Sequence, residues 1–523
     1  MDGMIPSPPR PAGCLLLFLA ASSSPASADG LADRYGGLIA EVRSALEPVA
    51  TRYEAAGHPQ EAVRIRGLLT PPDLRTLPLS WPGPLGLPAV ESVPAALQTL
   101  YGAEAETRRA IAADIYRVSR EALRKRRPVD AFRLAHWVLA VDPDHEKSRE
   151  ALGQSRTADG WQSDFLAEQA KQDRVWDRRF GWLPRDWVAR YEAGERYVGG
   201  RWLTAEAEAT IRSNFRSAWS VETEHFRLRT NESLETAVRL ASRLEDFRTY
   251  FVRQYPTLFD SPRRASSLWG RQGGRPARPM QVQVFATRGE YVATLSAKQP
   301  NVGFSNGVYL PVDRVSYFFV EGNDDLEGTL FHEVSHQLLY ESGRRRDDVG
   351  EARGYWAVEG FACYLETFDT DGVTADAGDP LKGRIAHAAQ LAADGEIPAA
   401  LSAFDALGKA AFITAADMDD LVNRYAHATG LTHFFLNAKD GRYRQAFLTY
   451  LRRLYEPGGR PVPLADLVGV PADVLDAEYR SYITDLPVDY FRGAAAEPSP
   501  SAGPPMDAPP TGGSGVPGGP ERR

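Results

Sequence analysis

His332, Glu333 and His336 stand in the order His-Glu-x-x-His within the segment running from Gly328 to Tyr340. On a helix, residues four apart lie one turn from each other on the same face, so both imidazoles can reach a single ion. Glu333 then projects beside that ion, close enough to take a proton from a water held there. The segment carries the signals of such a helix. Leu330, Val334 and Leu338 recur at helical spacing, and Asp324 with Glu327 reads as a capping-box-like start. The chain has two cysteines and nine histidines in 523 residues, so a metal site in it has to lean on imidazole and carboxylate.

A second helical segment, Tyr355 to Glu366, follows His336. Its sequence Glu359-Gly360-Phe361-Ala362-Cys363-Tyr364-Leu365-Glu366 resembles the Glu-Gly-x-Ala-x-Tyr-x-Glu segment of gluzincin metallopeptidases, the aminopeptidase branch in particular. The resemblance spans roughly residues 220–490 and is specific around these two helices. The whole chain is also similar to a bacterial family of exported His-Glu-x-x-His proteins of unassigned function, with helical N-terminal regions.

The resemblance implies that His332, His336 and Glu359 bind Zn²⁺, with Glu333 as general base and a fourth position open, as a catalytic zinc requires. Gly360, beside the ligand, is expected to let the two metal helices approach closely. The charged stretch Glu341 to Arg353 makes the spacing between them longer than in typical members. The same branch has a tyrosine that hydrogen-bonds a developing oxyanion. Tyr425, in Arg424-Tyr425-Ala426-His427, resembles it, with His427 as a further candidate for the same role. The other reading of Tyr425 is a core residue on an amphipathic helix with Leu421, Leu431 and Phe435.

Two departures from the family pattern bear on activity. Aminopeptidases carry a Gly-x-Met-Glu-Asn strand whose glutamate grips the substrate's free amine. Gly303-Phe304-Ser305-Asn306-Gly307 has no glutamate there, which favours an endopeptidase or a lapsed site, although the strand is still expected to pair with substrate backbone. Cys363 lies where thermolysin-like members place a carboxylate that orients a ligand histidine. That acceptor must come from elsewhere, with Glu366 as the candidate, and Cys363 reads as a small buried hydrophobe.

The elements expected to position these residues form an α+β catalytic unit, zincin-like by resemblance, over residues 220–490. Strands are expected at His225 to Arg229, Met280 to Phe285, Val308 to Leu310 and Val315 to Val320, and helices at Leu234 to Phe251 and Arg288 to Leu295. Upstream, residues 29–158 read as an α-helical region with a Pro-rich connector at 71–94, which holds seven prolines. In it, Ala131, Ala135 and Val138 face inward, Asp142-Pro143-Asp144 stops the helix, and one helical pair resembles a tetratricopeptide hairpin. Residues 159–219, rich in Trp, Tyr and Arg, read as a small packed module. Residues 491–523, rich in Pro and Gly, read as a disordered tail.

At the N-terminus, Arg10, the apolar run Cys14 to Ala21 and Ala26-Ser27-Ala28 read as a signal peptide over residues 1–28, cleaved near Ala28. The product is then exported, periplasmic or extracellular, and keeps a single thiol, Cys363. The formal net charge of −8 argues against a nucleic-acid-binding face, and no segment is apolar for long enough to span a membrane. The expected function is a zinc-dependent peptidase acting on peptide or protein substrates. The alternative is a lapsed zincin-fold scaffold whose helical N-terminal region recruits a protein partner.

Overall fold

The structure is a computed structural model, and it describes residues 25–72, 94–158, 160–261, 264–269, 278–300, 302–343, 348–372, 374–396, 400–456 and 462–487. Most of the expected signal peptide, nearly all of the 71–94 connector and the whole expected tail lie outside these residues. The chain is mixed α+β. Among the described residues, no helix is long and apolar enough to cross a membrane.

The helical region consists of α1 (Pro25–Ala55), α2 (Pro59–Arg66), α3 (Gln98–Arg124), α4 (Pro128–Val141) and the short α5 (Glu146–Ala151). Leu38, Val42, Leu46, Ile65, Ile111, Ile115, Trp137 and Val138 close one core between α1, α2, α3 and α4. Ala131, Ala135 and Val138 are buried, and α4 ends at Val141 with Asp142 as its C-cap. The other face of α4 is also used. Val129 and Phe132 belong to the main core, that of the α+β region, and the Phe132 ring meets Trp269 edge-on at 5.9 Å.

The Trp/Tyr/Arg-rich module is a threefold repeat. Hairpin β1 (Gln154–Thr157) and β2 (Gly160–Ser163) leads into α6 (Asp164–Lys171). Hairpin β3 (Arg174–Asp177) and β4 (Gly181–Pro184) leads into α7 (Val188–Glu192), and β5 (Glu195–Val198) and β6 (Arg201–Thr204) into α8 (Ala205–Arg212). Trp161, Trp182 and Trp202 occupy the same place in the three hairpins, opposite Arg156, Trp176 and Tyr197. The boundary expected at residue 159 falls inside the first hairpin.

The α+β region begins with a five-stranded sheet of β7 (Trp219–Glu222), β8 (Phe226–Thr230), β9 (Met280–Phe285), β10 (Gly307–Leu310) and β11 (Val315–Phe319), in the order β10-β11-β9-β8-β7. β8, β9 and β11 run parallel, while β7 and β10 are antiparallel edges. Helix α9 (Leu234–Gln254) follows β8, and α10 (Arg288–Leu295) follows β9. β9 alternates as its sequence suggests: Val282 and Val284 enter the main core, whereas Gln281 and Gln283 are partly exposed. β11 is buried along its whole length. Phe318 faces the helices of the main core, and Val315, Tyr317 and Phe319 join Tyr291 and Leu295 of α10 on the opposite face.

Helix α11 (Leu326–Glu341) packs against β10 and β11 of this sheet, and α12 (Tyr355–Leu365) packs against α11. The remaining helices are α13 (Gly383–Ala393), α14 (Leu401–Asp405), α15 (Lys409–Ile413), α16 (Met418–Gly441), α17 (Arg444–Leu454), α18 (Leu464–Val468) and α19 (Ala472–Thr484). α12 is buried from end to end, so the residues it carries are fixed by packing on every side.

Candidate metal centre

α11 starts at Asp325, whose carboxylate accepts the Gly328 N–H at 3.1 Å. The cap is therefore Asp325, one residue later than the expected Asp324. Glycine at 328 makes room for it, since a Cβ there would lie 2.5 Å from the Asp325 carboxylate. Glu327 does not close a capping box. It pairs instead with Arg239 and Arg243 of α9.

From that start the helix brings His332 and His336 onto one face, with their Nε2 atoms 3.2 Å apart. α12 brings Glu359 to the same point: one carboxylate oxygen is 3.4 Å from His332 Nε2, the other 3.9 Å from His336 Nε2. Ligand atoms held about 2.0–2.1 Å from a zinc ion in a tetrahedron stand roughly 3.3 Å from one another; the 3.2 and 3.4 Å separations lie near that value, and the 3.9 Å one, to the other Glu359 oxygen, is longer. Oε2 of Glu359 is buried with no hydrogen-bond partner, which is costly for a carboxylate oxygen unless a cation meets it. Burial works against charge on Glu359, but His336 and His332 outweigh it and hold its pKa down at about 2. Burial likewise opposes charge on His332, yet the Cys363 sulfur, Glu359 and Glu366 raise its pKa well above normal. The pocket favours positive charge at the point where the three side chains meet, and its donor set fits a divalent ion of the zinc type.

Both imidazoles are held from behind. Nδ1 of His332 donates to Glu366 at 2.8 Å, and the other oxygen of Glu366 is 3.4 Å from Arg384 of α13. Glu366 thus stands in the role for which it was the candidate, one helical turn beyond Cys363. Cys363 is fully buried, 3.8 Å from His332 Nδ1, and burial pushes its thiol pKa up. His332, Cys363 and Glu366 also converge as a group, but Arg384 already supplies a cation to Glu366. Nδ1 of His336 stands 3.3 Å from the phenol oxygen of Tyr455. Burial, and then the facing carboxylates of Glu359 and Glu333, raise the pKa of Tyr455 and keep it neutral.

Glu333 is buried, and one of its carboxylate oxygens accepts the backbone N–H of Tyr309 in β10 at 2.7 Å. In an antiparallel pair, alternate residues turn both backbone groups away from the partner strand, so the outer edge of β10 is formed by Gly307 and Tyr309. Ser305, also buried, takes up that edge at Gly307: its hydroxyl accepts the Gly307 N–H at 3.2 Å and bonds the Gly307 carbonyl. The edge expected to pair with substrate is thus largely satisfied from within.

Tyr425 is fully buried on α16. Its ring meets Phe412 edge-on at 5.3 Å, and the Arg384 guanidinium lies 5.2 Å from its centre. These contacts place it behind Glu366, whereas Tyr455 lies directly against a proposed ligand. His427 has its pKa lowered to about 4 by burial and by the nearby His387. Gly360 does permit a close approach, but to a different helix from the one expected. A Cβ there would fall 2.3 Å from the Ala428 carbonyl oxygen, so the tight contact is between α12 and α16.

Tyr455, Arg384 and Ser305 were not legible as parts of the site. Tyr455 lies 119 residues from His336 in sequence, at the end of a helix with no motif around it. No family model, curated protein or solved structure matches the chain, so its fold and pocket stand on their own geometry.

Proposed function

We propose that the chain is a zinc-dependent peptidase with a zincin-like catalytic unit of gluzincin type, exported from the cytoplasm and acting on peptide or protein substrates. The observation that carries this reading is the meeting of His332 Nε2, His336 Nε2 and the Glu359 carboxylate, with Glu333 on the next position of the same helix. A zinc ion held by His332, His336 and Glu359 would supply a Lewis acid for a scissile carbonyl and bring the pKa of water near about 7.

Proton transfer falls to Glu333. Its carboxylate, aimed by the Tyr309 amide, takes a proton from water as the oxygen adds to the carbonyl carbon. It returns that proton to the nitrogen as the C–N bond breaks. Glu366 and Arg384 keep the His332 ring oriented throughout. Tyr425 stands behind Glu366, against Arg384 and Phe412. The segment Gly303 to Gly307 offers no carboxylate to hold a free amine, which supports endopeptidase over aminopeptidase action. The pair α4–α5 reads as one tetratricopeptide-like unit, a surface for recruiting a protein partner.

One observation favours the second reading, a lapsed zincin-fold scaffold. The outer edge of β10 is occupied by Ser305 and Glu333, so a substrate strand would have to displace both. The two readings separate on a mixed peptide library digested by the full chain and by Glu333→Gln, each brought to equal zinc content. Peptidase activity predicts internal cleavage that falls by about 10²–10⁴-fold in the variant. Removal of single N-terminal residues would indicate an aminopeptidase, and equal, negligible cleavage by both proteins would leave the scaffold.

A further inference from the structure

Tyr455 follows the last residue of α17 and is buried. Its phenol meets His336 on Nδ1, the ring nitrogen that does not face His332 and Glu359. Its backbone is fixed by a separate device. Arg264, also buried, donates to the Leu339 carbonyl at 2.6 Å and to the Ser342 hydroxyl at 2.7 Å, and from its other terminal nitrogen to the Tyr455 carbonyl at 3.2 Å. Its guanidinium also lies 5.8 Å from the centre of the Tyr455 ring. Leu339 is in the turn of α11 that follows His336, and Ser342 caps that helix. One guanidinium therefore ties the residue bearing the phenol to the turn bearing the imidazole.

We propose that Tyr455 is the positioning residue of His336, accepting its Nδ1–H so that Nε2 keeps its lone pair for the metal, and that Arg264 sets the distance between the two. The inference rests on the zinc reading above. A neutral imidazole carries one ring proton, and the partner of one nitrogen decides which nitrogen is left to ligate. His332 gets that partner from a carboxylate, Glu366, whereas His336 gets it from a phenol. The difference follows from charge. Glu333 and Glu359 already lie at the proposed centre, with Glu366 behind His332, and a further carboxylate behind His336 would add repulsion among them that a phenol does not.

The test uses the full chain as wild type, Tyr455→Phe and, as a control, Tyr443→Phe, which removes another buried phenol from a carboxylate, Glu478. Zinc affinity is measured by competition with a chromogenic chelator, and melting is measured on chelator-stripped protein. Tyr455→Phe is expected to bind zinc about 10–100-fold more weakly while the metal-free protein melts as wild type does. Tyr443→Phe is expected to keep wild-type affinity. Unchanged affinity in Tyr455→Phe overturns the proposal, and so does a loss matched by an equal fall in metal-free melting, which marks a packing role alone. Arg264→Lys is read in the same way if Tyr455→Phe is insoluble, with weaker zinc binding expected and wild-type binding contradicting the latch. A wild-type chain that takes up no zinc overturns the metal reading itself, and is told apart because there is then no affinity to compare.

Discussion

Glu366 receives the Nδ1 proton of His332 and is itself paired with Arg384, so neutralising it should act on the metal before it acts on the fold. Glu366→Gln is expected to weaken zinc binding about 10–100-fold, measured by chelator competition, and unchanged affinity would show that His332 needs no partner. Cys363 touches the same nitrogen at 3.8 Å yet reads as packing. Cys363→Ala should cost about 1 kcal/mol of stability and still bind one zinc per chain. A drop from two ions to one would instead reveal a second centre built from His332, Cys363 and Glu366. At this scale the sequence was most legible where the chemistry is local. His332, Glu333 and His336 are neighbours on one helix, and Glu359 sits in a motif of its own. Tyr455 and Arg384 reach the site only through the tertiary fold, and no spacing in the chain announces them.

Among the elements, α12 carries the most constraint. It is buried throughout, and Gly360 lies against the Ala428 carbonyl, so an added methyl group has nowhere to go. Gly360→Ala is expected to destabilise the chain by about 1–3 kcal/mol and to weaken zinc binding as Glu359 shifts. Denaturant unfolding and zinc titration together check this, and a neutral effect on both would mean that the α12–α16 contact is slack. β9, with its strict alternation, was readable to the residue, and so was α10. The capping of α11 was misread by one residue because two aspartates are adjacent and only contact with Gly328 distinguishes them. The hairpin repeats went unread for another reason. Each strand has only four residues, too few for alternation to stand out. The signal that would have found them is the recurrence of Trp161, Trp182 and Trp202 between short turns.

Across the described residues, the helical region and the α+β region share packing through α4. Val129 and Phe132 sit in the main core, and Trp269 packs against both cores. Trp269 lies close in sequence to Arg264, which reaches α11 and Tyr455. The mixed α+β layout was legible from the change of periodicity near residue 220, but this joint was not, since α4 shows one apolar pattern that serves two cores. Phe132→Ala is expected to cost about 3–5 kcal/mol and to move one cooperative unfolding transition as a whole. Two transitions, of which only one shifts, would show independent units. The metal centre itself is tested most directly by titrating zinc into the chelator-stripped full chain, as wild type and as Glu359→Gln. One ion per wild-type chain is expected, with affinity falling at least about 100-fold in the variant as a ligand is weakened. Zinc bound equally by both proteins, or by neither, would contradict a centre made of His332, His336 and Glu359.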